Sequence, residues 1–197
     1  NRYKSSRIVE QVAARYQELN LPVGVLVVDY KNQDHDGDFA PGKACYPSVQ
    51  DLSTKVRNLI NASTVFSFWP EVLPASNEFK TLSDRGCLIN ADLGGLAFDA
   101  TQKACRDFVW TTMIKPRYFD QGVDIFWLDE SDAEGTGGGD GSHGYDTSYG
   151  PAPFASNYWV NDWISMFTDN VKAQGVEDPL VLTRGVWAGG QRHGVVL

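Results

Sequence analysis

Apolar residues in this chain come in two spacings that take turns along its length. From Ser5 to Leu19 they fall at Ile8, Val9, Val12, Tyr16 and Leu19, close to the helical period, and Asn20 with Pro22 closes the segment as a helix. Gly24 to Tyr30 is a β-branched run that ends in an acid, Asp29, before a loop rich in Asp and Gly, so a strand is expected. Pro47 and Ser48 open a second helix through Leu59 and Ile60. Thr64 to Pro70 is a strand stopped by proline, with Trp69 at its carboxyl end. Glu71 to Asp99 breaks into short pieces around Gly94-Gly95, an irregular excursion (about 71–99) with a small strand near Cys87 to Ile89.

Helical spacing resumes from Thr101 to Tyr118 through Ala104, Phe108 and Met113, and Pro116 kinks or ends it near the last turn. Val123 to Glu130 is a branched and aromatic run that stops abruptly at Asp129 and Glu130. With Gly122 before it and a glycine-rich loop at 135–153 after it, it is expected to be a core strand. Asn157 to Ala173 puts Trp159, Trp163, Ile164 and Phe167 on one helical face ahead of Gly175. Pro179 to Arg184 is one more strand, ending in a cation, and Gly194 to Leu197 begins another.

Alternating helices and strands imply an α/β fold with a parallel sheet and right-handed crossovers. An open doubly wound sheet would bind its ligand at a switch point, usually beside a phosphate loop, and no such glycine motif follows a strand here. A barrel gathers the ends of several strands around one pocket, as Asp29, Trp69, Asp129 and Arg184 would do. The expectation is therefore a partial (β/α)8 TIM barrel of about four to five parallel strands, with residues 1–197 forming a single incomplete catalytic-domain segment.

Composition narrows the partner. The formal net charge is −8 and no basic cluster is visible, which argues against nucleic acid and leaves a neutral or cationic ligand more natural. No apolar run approaches the roughly 20 residues of a membrane span. Asn1 to Arg7 is polar and is not expected to be a signal peptide. Cys45, Cys87 and Cys105 lack metal-ligand spacing and are expected to be buried or free thiols. Glu130, Asp132, Glu134 and Asp140 lack EF-hand spacing and suggest a solvated acidic loop; His35, His143 and His193 are scattered, so neither metal nor cofactor is assigned. Asn61-Ala62-Ser63 is a glycosylation sequon, meaningful only in a secreted protein; the compartment stays undetermined.

Asp129 is the foremost candidate for chemistry, because an acid closing a buried strand needs a reason to be there. Asp29 has the same design. Arg184 is equally a structural ion-pair partner, and Trp69 equally a core residue, whereas Trp127 should face a ligand since Phe126 and Leu128 point the other way.

Together these stretches resemble the middle of the catalytic barrel of glycoside hydrolase family 31, the α-glucosidases, α-xylosidases and related enzymes. The likeness is carried by Arg2-Tyr3-Lys4, Leu21-Pro22-Val23 leading to Val28-Asp29-Tyr30, Phe68-Trp69-Pro70, and Phe126-Trp127-Leu128-Asp129. It continues in Leu182-Thr183-Arg184 and in Ala188 to Gly194, in family order. The resemblance implies a retaining α-glycosidase with Asp129 as nucleophile, and Asp29, Trp69, Trp127 and Arg184 binding an α-linked oligosaccharide or glycoside substrate. Arg184, if close, would favour the ionised nucleophile. The sequence departs from the family at Asp132 and Ala133, where Glu and Pro are usual, and the family's acid/base aspartate falls a few residues beyond Leu197.

Retaining hydrolysis needs two carboxyls about 5 to 5.5 Å apart. The expectation is thus a segment of a glycosidase that does not turn over alone and needs the remainder of its barrel. The alternative is a truncated non-catalytic relative that binds carbohydrate or a protein partner.

Overall fold

The computed structural model describes residues 2–90, 96–131 and 146–193, with only the backbone at 146, 152 and 153, and the backbone of 195–196. Gly94-Gly95, Asp132, Ala133, Glu134, the loop from Gly135 to Gly144 with Asp140 and His143, Gly194 and Leu197 lie outside the described residues.

α1 (Ser6–Glu18) turns Val9 and Ala13 into the core and leads to β1 (Val25–Val28). α2 (Val49–Ile60) starts on Ser48, whose hydroxyl accepts from Asp51 N–H at 3.1 Å, and ends on Asn61 in the left-handed region at φ 53°. β2 (Ser63–Phe68) follows, buried along almost its whole length.

The excursion is more regular than its broken sequence suggests. β3 (Glu71–Val72), α3 (Phe79–Asp84), β4 (Leu88–Asn90) and β5 (Leu96–Phe98) build a three-stranded antiparallel sheet in the order β3-β5-β4. Its fastening corrects the expectation of thiols. Cys87 and Cys105, with Cα atoms 5.6 Å apart, form a disulfide to the next helix; Cys45 is free and exposed. Spacing along the sequence could not reveal this pair, because the fold of the excursion itself brings the two together.

α4 (Lys103–Val109) runs through a π-helical turn (Trp110–Ile114) into α5 (Lys115–Arg117), where Pro116 is tolerated near the start. Gly122, at φ 91°, reverses the chain into β6 (Phe126–Leu128). β6 is shorter than the apolar run expected for it, since Val123 N–H is taken by Tyr118 O at 3.1 Å in the preceding turn. β7 (Asp146–Thr147) and β8 (Gly150–Pro151) form a hairpin within the span expected to be loop. α6 (Ala152–Ala173) begins ahead of the expected Asn157, because Pro153 is suited to a first helical turn. β9 (Val181–Thr183), a 3₁₀ turn (Gly190–His193) and β10 (Val195–Val196) complete the order.

The main sheet is five parallel strands, β1-β2-β6-β9-β10, with β6 in the middle. It is α/β, a partial TIM barrel whose described strands do not close. Leu26, Val28, Phe66, Phe68, Phe126, Leu128 and Val181 are all buried, on the face covered by helices. Phe68 lies at the centre of that core, with ring centroids 4.8 Å from Tyr118, 5.4 Å from Phe167 and 5.8 Å from Phe126.

Candidate active site

Strand register brings the candidate residues to one edge. Phe68 pairs with Leu128 and Leu128 with Thr183, so the next residues, Trp69, Asp129 and Arg184, stand level at the carboxyl ends of three adjacent strands. The backbone ladder continues to this level, with Asp129 N–H bonded to Phe68 O at 3.0 Å and Arg184 N–H to Leu128 O at 3.4 Å. Val28 pairs with Phe66, which sets Asp29 two residues lower, beside Ser67. By strand alternation, Asp29, Trp69, Trp127, Asp129 and Arg184 share the face opposite the aromatic core.

Asp129 is largely buried, with 13 % of its side chain exposed, and its Oδ1 lies 3.7 Å from Arg184 Nη1. Arg184 engages Glu130 more tightly. Nη1 and Nη2 reach the two carboxylate oxygens at 2.8 and 3.0 Å, the forked geometry that suits guanidinium to carboxylate. This corrects the expectation of Glu130 as part of a solvated acidic loop. Glu130 takes the left-handed conformation, φ 52°, and its carboxylate meets the end of β9.

Ser131 fixes that turn. Fully buried, its hydroxyl bonds Leu128 O at 2.9 Å and Thr183 Oγ1 at 2.5 Å and accepts from Gly185 N–H at 3.2 Å, tying the ends of β6 and β9 together. Neither Ser131 nor the pairing of Glu130 was foreseen. A lone serine after two acids gives no periodic signal, and its role exists only once β9 lies alongside.

At the other side of the edge, Asp29 Oδ1 accepts its neighbour's N–H, from Tyr30, at 2.6 Å. Asn32 Nδ2 bonds Ser67 O at 2.8 Å and Asp29 O at 3.4 Å, bracing the loop after β1 against β2. Tyr30 and Trp69 stack at 4.4 Å and 20°, and Lys31 Nζ sits 4.5 Å from the Tyr30 ring centroid. Trp69 is thus half-buried in an aromatic stack, while Trp127 is half-buried on the sheet face that bears Asp129. The candidates therefore form two groups: Asp129, Arg184 and Trp127 on one side, Asp29 with Trp69 on the other. β2 lies between Asp29 and Asp129.

Charges beside the aromatic stack are perturbed. Burial pushes the Asp36 carboxyl above its ordinary range against the pull of Lys31, whose Nζ is 3.9 Å away. Burial likewise raises Glu71, and the Asp36 charge adds to it. Hydrogen bonding to Tyr30 raises Lys31. Among the described residues no three His, Cys, Asp or Glu side chains cluster to hold a metal ion, and no helix is long and apolar enough to cross a membrane.

Comparison with known proteins gives this edge a context. The family model described as "Glycosyl hydrolases family 31 TIM-barrel domain" matches residues 1–197. The chain is 32 % identical over 205 residues to the uncharacterized family 31 glucosidase ORF2 of Pseudescherichia vulneris, covering 99 % of this chain and 38 % of the relative. It is 31 % identical to alpha-xylosidase A of Aspergillus niger, over 78 % of this chain and 22 % of that one. The structure superposes on a GH31 alpha-xylosidase from a soil metagenome, solved with xylose, at a TM-score of 0.91 and 26 % identity, covering all of this chain and 30 % of the other. The chain thus spans well under half the length of these relatives. A match along all 197 residues, on a sheet whose strand ends carry an acid and a guanidinium side by side, makes this chain a member of glycoside hydrolase family 31.

Proposed function

We propose that the chain is the nucleophile-bearing segment of a retaining α-glycosidase acting on α-linked glucosides or xylosides, with residues 1–197 forming one incomplete barrel unit. The observation that carries this is Asp129 at the carboxyl end of the central strand, largely buried and 3.7 Å from Arg184. Its carboxylate attacks the anomeric carbon as the glycosidic C–O bond breaks, and a second carboxyl protonates the departing oxygen. That second group then takes a proton from water, which attacks the same carbon and frees Asp129. Asp29 and Arg184 hydrogen-bond sugar hydroxyls, and Trp69 and Trp127 offer apolar faces to the ring.

Asp29 is badly placed to be the second carboxyl. Two strand spacings and a two-residue offset along the strands put their backbones roughly 12 Å apart, whereas the carboxyls of a retaining pair lie about 5 to 5.5 Å apart. Family resemblance puts the acid/base in sequence that follows Leu197, so the 197-residue chain by itself is expected not to turn over aryl α-glycosides.

A glycosyl fluoride separates the two carboxyl roles, because fluoride leaves without protonation while release of the glycosyl-enzyme still needs a base. The chain is incubated with 5-fluoro-α-glucosyl or 5-fluoro-α-xylosyl fluoride and its peptides are sequenced by mass. An ester on Asp129, lost in Asp129→Asn, is the expected result. An ester on Asp29 or Glu130 moves the nucleophile. No ester on any carboxyl favours the non-catalytic, carbohydrate-binding alternative.

A further inference from the structure

Asn61-Ala62-Ser63 is the one Asn-x-Ser/Thr triplet in the sequence, and the fold sets it on a corner. Asn61 is the left-handed residue that ends α2, its N–H bonded to Arg57 O at 2.9 Å, and Ser63 begins β2. Asn61 is exposed while Ala62 beside it is buried. The modifiable residue is thus the accessible one.

The surface next to Asn61 suits a sugar. A groove of about 390 Å³ between the carboxyl ends of α1 and α2 is lined by Tyr16, Leu21, Pro22, Arg57 and Leu59. Leu21 is 50 % exposed there, leaving apolar surface that a pyranose face or an acetamido methyl would cover.

The Cys87–Cys105 disulfide is a separate observation with the same implication. Such bonds persist in oxidising compartments, which in eukaryotic cells are also where sequons are read.

We propose that Asn61 carries an N-linked glycan acquired in an oxidising compartment. The donor class is a polyprenyl-diphosphate-linked oligosaccharide: Asn61 Nδ2 bonds to the anomeric carbon and gives up one proton, and the lipid diphosphate leaves with the electrons of the broken C–O bond. The glycan stands clear of the strand ends that carry Trp69 and Asp129. Asn61 precedes the amino end of β2, about 20 Å from its carboxyl end at the rise of an extended strand.

The test uses the native protein, unfolded in denaturant, alkylated without reduction and digested with trypsin. The peptide Asn58 to Lys80 contains Asn61 and no other sequon. Peptide N-glycosidase in ¹⁸O-water should convert Asn61 to aspartate with a gain of about 3 Da. Cys87 and Cys105 should accept alkylation only after reduction. In a glycosylating host, Ser63→Ala should remove the mass increment and Ser63→Thr should keep it. An unmodified Asn58–Lys80 peptide as the sole native form overturns the proposal, as does alkylation of Cys87 and Cys105 before reduction.

Discussion

Glu130 holds Arg184 through two parallel hydrogen bonds of 2.8 and 3.0 Å, and the same guanidinium stands 3.7 Å from Asp129. The pair fixes geometry more than it stabilises the fold, because Arg184 is 40 % exposed and an ion pair in such a setting contributes under about 1 kcal/mol. Ser131 is its buried counterpart. Glu130→Gln is expected to lower the unfolding free energy by less than about 1 kcal/mol, and Ser131→Ala, which leaves buried polar groups unpaired, by about 1 to 3 kcal/mol. Urea unfolding ranks the two, and the reverse order would mean that the exposed pair, not the buried hydroxyl, locks β6 to β9.

Tyr118 offers a different test of the core. Its hydroxyl is fully buried with no hydrogen-bond partner among the described residues, and burial raises its pKa well above the ordinary phenol value. Tyr118→Phe removes an unsatisfied group and keeps the edge contacts to Phe66 and Phe68, so stability should stay level or rise by up to about 1 kcal/mol. Phe68→Ala, at the centre of the same ring cluster, should cost about 3 to 5 kcal/mol. A Tyr118→Phe loss above about 1 kcal/mol would point to a buried water serving the hydroxyl.

What the sequence announced was what depends on short-range pattern. The two spacings located β1, β2, β6 and β9 and the helices between them, and the acid at the end of the Phe126–Leu128 run singled out Asp129. Contacts between distant segments were not legible. Ser131 meets Thr183 and Gly185 only after the crossover through α6, and Tyr30 stacks on Trp69 because β1 and β2 are neighbours. Short pieces separated by polar residues hid the β3-β5-β4 sheet, since strands of two or three residues carry too little alternation to register.

The disulfide should matter more to stability than its position at the sheet's periphery suggests. Its two cysteines are 18 positions apart in sequence, and for a loop of that size the entropic effect on the unfolded chain is about 3 kcal/mol. Cys87→Ala and Cys105→Ala should each lose about that much, and the double variant no more than either one, because both changes remove the same bond. Unfolding of the unmodified chain under strong reductant should match the variants. Two single losses that add would show that the thiols act through packing.

The carboxyls beside the Tyr30–Trp69 stack should give stability a recognisable pH dependence. Asp36 is buried, and desolvation outweighs the attraction of Lys31, so its folded pKa lies above the ordinary 3.8. An acid that binds its proton more tightly in the folded chain adds stability below its unfolded pKa and loses it as pH rises through the folded value. Glu71, raised above 4.5 by burial and by Asp36, acts in the same direction. Asp36→Asn cannot ionise and keeps its contribution. Its stability relative to the unmodified chain should therefore grow as pH rises from about 3 to about 7 and then level off. Lys31→Met removes the charge that opposes the shift, so the unmodified Asp36 in that background should show a steeper loss over the same range. Urea midpoints across pH measure both. A difference between Asp36→Asn and the parent that stays flat or falls with pH would mean that the pairing with Lys31, and not desolvation, governs this carboxylate.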